Sequence, residues 1–384
     1  MRNCYIMTIV AALIFISACS SSKKIQKSAW QPFKEIKFIS EYVVPNGAQF
    51  KGTTVGGLSG IDYDIKRDQY YLICDDPSAI NPTRFYTAKI LIGENGIDSV
   101  LFTEVDTLLN KEGKPFANIR KDRIHSADAE ALRYDPTRDE MIWSSEGQRV
   151  INDSTRDLQN PSIIIADRLG KYKDSFALPA NMKIQTEEKG PRHNSVFEGL
   201  SFDEDYSHVF VNVEEPLYED GSKAGTGDST AVIHILKFNR KLKQCVAQFA
   251  YEIGAVPYPA NPPSAFKING VPDILYLGDD KFIVIERAFS TGRIPTDVKI
   301  YLADAADAED VLNIPSLKDK QPLRLIKKQL LLDMNNSLGL DIFNIEGVCF
   351  GPKLSNGNRS LLLVTDNNFN AKEKTQFFLF EVLP

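Results

Sequence analysis

Residues Glu198–Glu214 read EGLSFDEDYSHVFVNVE. An acidic residue is followed by a small–apolar pair, an acidic turn, a run of β-branched and aromatic residues, and a second acidic residue. Two β-rich runs around an Asp-rich turn predict an antiparallel hairpin. The same pattern recurs from Ser59 to Asp75, Glu130 to Glu146, Asp273 to Glu286 and Glu346 to Asp366. Starts at 59, 130, 198, 273 and 346 give steps of 71, 68, 75 and 73 residues, a regularity that points to one repeating architecture rather than separate domains. Helical periodicity is scarce, and only Asp304–Leu312 suggests a short helix. Hairpins at this period with no helices between them predict an all-β chain folded as a single β-propeller. Five blades are marked in the sequence and a sixth, unmarked one is left open. The strand-like segments Glu35–Val44 and Gln376–Leu383 lack partners in their own repeats, so pairing them would close the ring and remove a free edge.

Outward from the repeats, the N-terminus reads as an address. Arg2 precedes an apolar run, Ile6–Ile16, which is too short to span a bilayer as a helix and is followed by Ile16-Ser17-Ala18-Cys19. Residues 1–18 are expected to be a signal peptide. Cys19 resembles the lipidated cysteine of a bacterial lipobox, with 19–33 as a polar tether and 34–384 as the propeller. Ser20 is not acidic, which favours an outer-membrane lipoprotein of the cell envelope facing the periplasm, held to the membrane by its lipid alone. Cys74, Cys245 and Cys349 read as free thiols in a monomer.

Composition removes several classes. Of 384 residues, 43% are hydrophobic and 25% charged, within the globular range, and a net charge of −6 leaves no basic excess for nucleic acid. Four histidines make a His-rich zinc site improbable, so a metal would be held by oxygen. There is no G-x-S-x-G nucleophile elbow, Walker loop, C-x-x-C or H-E-x-x-H.

In a propeller the first residue of each inner strand sits at one rim, so equivalent residues converge on the axis. Glu130, Glu198, Asp273 and Glu346 are therefore expected together, joined from the next strand's end by Asp75, Glu146, Glu214, Glu286 and Asp366. Glu130, Glu198 and Glu346 read equally well as metal ligands or as acceptors for the neighbouring blade's backbone. Turn residues Asp64, Asp135 and Asp203 read as local caps. Crowded carboxylates raise one another's pKa or bind a cation, and calcium takes 6–8 oxygen ligands. The expected metal ligands are Asp75, Glu130, Glu146, Glu198, Glu346, Asp366 and Asn367, with Glu198, Glu214, Glu286 and Asp366 as candidate catalytic residues. Arg84, Arg192, Asn194 and Arg287 adjoin motifs and are candidates for binding a phosphate's oxygens.

The ordered motifs GGLSGIDYD (56–64), YYLICDDPS (70–78), TRFY (83–86), DAEALRYD (128–135), SSEGQ (144–148), RHNSVFEGLSF (192–202), VEEPLYEDG (213–221), VIERAFS (284–290), NIEGVCFGP (344–352) and LLLVTDNNFN (361–370) resemble the phytase-like family, also described by its esterase-like activity. The resemblance spans about residues 55–383. It implies a propeller with a calcium-dependent phosphoesterase site for phosphorylated small molecules, usually with six blades. Ser59 departs from the acidic pattern of the other repeats, and Ile342-Phe343-Asn344 from the Asp-Asn often found there. The alternative is a non-catalytic propeller that binds a ligand or partner at the same rim.

Overall fold

The computed structural model describes residues 33–293 and 295–384. The expected signal peptide, Cys19 and most of the tether lie outside the described residues. Five antiparallel blades surround one axis. The first holds Leu58–Asp64, Gln69–Cys74, Arg84–Gly93 and Gly96–Thr107, and the second Ala129–Asp135, Glu140–Ser145, Ser162–Asp167 and Tyr172–Ser175. The third is Phe197–Phe202, His208–Val213, Ala231–Asn239 and Gln244–Ile253. In the fourth the inner strand is split into Lys267–Gly270 and Ile274–Gly278, both paired with Lys281–Ser290, and Asp297–Asp304 and Lys327–Asp333 complete it. The fifth joins Asn344–Lys353, Arg359–Asp366 and Thr375–Leu383 to the N-terminal strand Glu35–Val44. The blade number is therefore five. The inner strands follow one another around the axis, the fifth lying beside the first.

The two chain ends close the ring as expected, with Glu35 opposite Leu383 and Val44 opposite Thr375. Both ends of the propeller chain therefore lie at the face opposite the starts of the inner strands.

Burial explains the sequence pattern. Each blade is clamped between two others, so its second strand is covered on both faces and is mostly apolar, with Tyr70–Cys74 and Val209–Val211 as unbroken runs. Separate apolar clusters fill the spaces between consecutive blades, for example Leu132, Trp143 and Ile73 between the first and second. Outer strands such as Gln244–Ile253 alternate between exposed and buried positions because one face meets water. The turn carboxylates are local caps: Asp64 Oδ1 accepts from Lys66 N at 2.9 Å, Asp135 Oδ1 from Thr137 N at 2.7 Å, and Asp203 Oδ1 from His208 N at 2.9 Å.

The helix expected over Asp304–Leu312 is absent: Asp304 ends a strand and turns follow. The α-helix among the described residues is Met334–Leu338, capped by Asp333 accepting from Asn336 N and ended by Gly339 at φ 63°. At five residues it is too short to show a helical period.

Four of the five inner strands carry a register shift near their start, between Leu58/Gly60, Ala129/Leu132, Phe197/Leu200 and Ile345/Gly347. The bulge turns Glu130, Glu198 and Glu346 toward the axis. The next residue is small, and backbones meet there. A Cβ on Gly199 would lie 2.6 Å from Asp273 Cα, and one on Gly347 3.0 Å from Gly60 Cα. This waist closes the channel below the acidic rim.

Candidate acidic site at the propeller axis

Above the waist lies a cavity of about 310 Å³. Its lining includes Glu130, Glu198 and Glu346 from inner-strand starts, and Asp75, Glu146, Glu214 and Asp366 from second-strand ends. Asp75, Asp128 and Glu130 bring oxygens within 4.8 Å of one another, and so do Glu146, Glu198 and Glu214. Burial is the first cause of a raised pKa throughout. It lifts Glu146 to about 8 with help from the charge of Asp128, and Asp366 to about 7 with help from Glu346. Glu214 and Glu346 are also lifted by burial to about 7, although Arg287 lowers both. Asp75, Glu130 and Glu198 are driven well above the usual carboxylate range by burial and by neighbouring acids.

One cation sits inside this ring. Arg287 Nη2 lies 2.9 Å from Glu214 Oε1 and 3.1 Å from Glu346 Oε1. Burial opposes its charge, but the fields of Glu346 and Glu214 keep it protonated. Its Nε–H is buried without an acceptor. One guanidinium cannot neutralise so many carboxylates, and protons are the substitute when no other cation is present. The two carboxylate triads offer oxygen only, the donor set of a hard divalent cation, and so fit the metal that the resemblance implies.

Several expected site residues lie elsewhere. Pairing of Gly270 with Arg287 and of Ile274 with Val284 puts Arg287, not Glu286, at the position held by Asp75, Glu146, Glu214 and Asp366 in the other blades. Neighbouring strand residues face opposite sides. Glu286 therefore points away from the cavity, accepting from Tyr251 Oη at 2.8 Å, Gly254 N at 2.9 Å and Lys328 Nζ at 2.5 Å. By the same register Pro272 matches the bulge glutamates and Asp273 matches the waist glycines. Asp273 is bound by Arg133 Nη2 at 2.7 Å and Val348 N at 2.8 Å, and it plugs the channel.

Arg84 is buried against Asp76 Oδ2 at 2.8 Å and Thr54 O at 2.9 Å. Arg192 donates to Pro216 O at 2.8 Å and Gly221 O at 2.7 Å while stacking on Tyr218. Neither lines the cavity. Asn367 spends its side-chain oxygen on Gly57 N and Phe369 N, so it shapes a turn, and Asn368 lines the cavity instead. Asn194 and Arg287 line the cavity.

Sequence reading missed Asp128, Asn344 and Glu373. Asp128 stands two residues before Glu130, outside the repeat frame, and is reached by Gln148 Nε2 at 3.4 Å. Asn344 Nδ2 donates to Glu346 Oε1 at 2.6 Å. The DAE spacing of Asp128-Ala129-Glu130 was the available signal, since alternate residues of an extended chain share a side.

A family model described as "Phytase-like: Esterase-like activity of phytase" matches residues 53–369. The chain belongs to this family. Phytase-like propellers are typically metal-dependent, in keeping with the two carboxylate triads. A search of curated proteins finds no match. Among solved structures the chain is similar to an exo-β-1,3-galactanase from Phanerochaete chrysosporium, at 10% identity and TM-score 0.46, covering 89% of this chain and 64% of that one. It is also similar to an α-L-arabinofuranosidase from Lactobacillus brevis, at 11% identity and TM-score 0.46, covering 89% and 93%. The chain thus spans about two thirds of the galactanase's length, and likenesses this distant say nothing of its chemistry.

Proposed function

We propose that the protein is a calcium-dependent phosphoric ester hydrolase acting on phosphorylated small molecules at the acidic rim. The observation that carries the reading is the pair of carboxylate triads at one cavity, the second of them held against Arg287 through Glu214. Asp75, Asp128 and Glu130 would hold one cation and Glu146, Glu198 and Glu214 another, with Glu346 and Asp366 beside them. When bound, calcium supplies positive charge to the phosphate oxygens and acidity to a coordinated water. Arg287, held through Nη2 by Glu214 and Glu346, would turn its other N–H groups to a phosphate oxygen. Asn194 and Asn368 line the cavity and provide neutral donors. The waist at Gly199, Asp273 and Gly347 blocks the far end, so substrate enters and product leaves by the same mouth.

The same reading keeps Cys19 as a lipid anchor, with a monomeric propeller at the outer membrane facing the periplasm. The N-terminal strand starts at the face opposite the cavity, so a tethered propeller would present its mouth away from the bilayer. The decisive experiment combines bound-metal analysis with a panel of phosphoesters. Hydrolysis that is lost on chelation and restored by calcium supports the hydrolase. Stoichiometric calcium without turnover on any ester would favour a non-catalytic binding propeller instead.

A further inference from the structure

Beside its carboxylates the cavity has an apolar wall. Phe266 and Phe289 form that wall, with ring centroids 6.1 Å apart and planes inclined by 36°. Ile268 and Phe343 continue it. Phe266 is 59% exposed. Its backbone is nonetheless held in place: the carbonyl accepts from Thr291 N at 3.0 Å and Thr291 Oγ1 at 2.9 Å, and Ile268, two residues on, pairs directly with Phe289. Apolar area kept in water is unfavourable, so an exposed ring at the lip of a charged cavity has the character of a ligand-contact surface.

Cations at the same mouth are few and engaged. Arg287 is shared by two carboxylates. Arg293 donates through Nε to Pro259 O at 3.3 Å and lies over the Tyr258 ring at 4.7 Å. Among the described residues no lysine lines the cavity, and Lys374 lies over the Phe343 ring. Beyond the metals at the centre, a polyphosphorylated polyol needs several free cationic side chains around the rim for its other phosphates. A single phosphate with a flat apolar group needs only the central site and an aromatic wall.

We infer that the site takes phosphoesters of alcohols that carry an aromatic ring, seated against Phe266 and Phe289, in preference to polyphosphorylated polyols. The inference rests on the hydrolase reading for its catalytic part and on the wall alone for its binding part.

The test uses the calcium-supplemented full-length protein and three substrates: 2-naphthylmethyl phosphate, glycerol 3-phosphate and inositol hexakisphosphate. The first two release primary alcohols, so leaving-group acidity does not decide between them. The naphthylmethyl ester should have the highest kcat/KM. Phe266→Ala and Phe289→Ala should each narrow the KM ratio between it and glycerol phosphate by about three- to tenfold, the usual worth of one aromatic contact. Bound calcium should stay at the parent stoichiometry. A preference for the hexakisphosphate, or an equal change on all three substrates, would overturn the inference and leave the hydrolase standing. If no ester is hydrolysed, the hydrolase reading falls, and calorimetry with 2-naphthylmethylphosphonate and methylphosphonate decides the binding part. Tighter naphthyl binding that is lost in Phe266→Ala upholds it, and equal affinities overturn it.

Discussion

Arg287 Nη2 stands 2.9 Å from Glu214 Oε1, placing a cation from the fourth blade against a carboxylate from the third. Four blades give an acidic residue at this rim position and one gives its counter-charge. The arginine thereby keeps Glu214 and Glu346 from being driven as high as their burial alone would take them.

Removing that charge should be costly. Arg287→Met leaves Glu214 and Glu346 buried without their counter-charge, and breaking a buried pair typically costs about 3–5 kcal/mol. The chelated variant should melt well below the chelated parent, with calcium recovering much of the difference. Equal melting of the two chelated proteins would show that the pair contributes nothing.

Glutamates in adjacent motifs should behave differently. Glu198→Gln and Asp366→Asn keep their shape while removing a negative oxygen from the cavity, so bound calcium and phosphoester turnover should both fall. Glu286→Gln faces Tyr251, Gly254 and Lys328 instead, and should lower the melting temperature with metal stoichiometry unchanged. Loss of metal in the Glu286 variant would contradict the register assigned to the fourth blade.

The metal-free protein should lose stability as pH rises. Folding lifts Glu146 to about 8 and Glu214, Glu346 and Asp366 to about 7, all above their values in an unfolded chain. The folded state then holds more protons than the unfolded one, so the stabilisation present at low pH is lost as pH passes through about 5 to 8. Chelated protein should melt lower at pH 8 than at pH 5.5, with calcium raising it most at pH 8. A melting temperature that climbs with pH under chelation would refute the crowded-carboxylate account.

Closure can be cut. Phe377, Phe378, Leu379 and Phe380 are fully buried on the strand that pairs with Glu35–Val44. At about 1.5–3 kcal/mol per large side chain, deleting Gln376–Pro384 removes as much as the whole stability of an ordinary domain. The truncated chain should be insoluble or lack a cooperative transition. Cooperative melting at the parent temperature would mean that the ring does not depend on its last strand.

The anchor is tested by fractionation. Cys19→Ser should move the protein from the membrane pellet to the soluble periplasmic fraction while the propeller's melting stays the same. Retention in the pellet would rule out lipid attachment at this residue.

By itself the sequence determined the hairpin repeat, the all-β propeller and its closure by the two end strands. Those features follow from local patterning that survives any packing: mostly apolar second strands, Asp-rich turns, and two strands with no partner of their own. It also identified most of the acidic rim, because Glu130, Glu198 and Glu346 recur at a fixed place in the repeat. Only the tertiary structure decided which face each strand end presents. A bulge adds one residue, a one-residue shift reverses the side chain's direction, and no residue letter records it. That is why Asp273 and Glu286, which align with the rim acids on paper, became a channel plug and a blade clamp, while Arg287 took the axis. Arg84 and Arg192 mislead for a related reason. Proximity to a motif in the chain fixes their backbone position, but Asp76 and the carbonyls of Pro216 and Gly221 determine where each guanidinium goes. The aromatic wall was equally invisible, since Phe266 and Phe289 lie 23 positions apart and meet only when the split inner strand folds back on its neighbour.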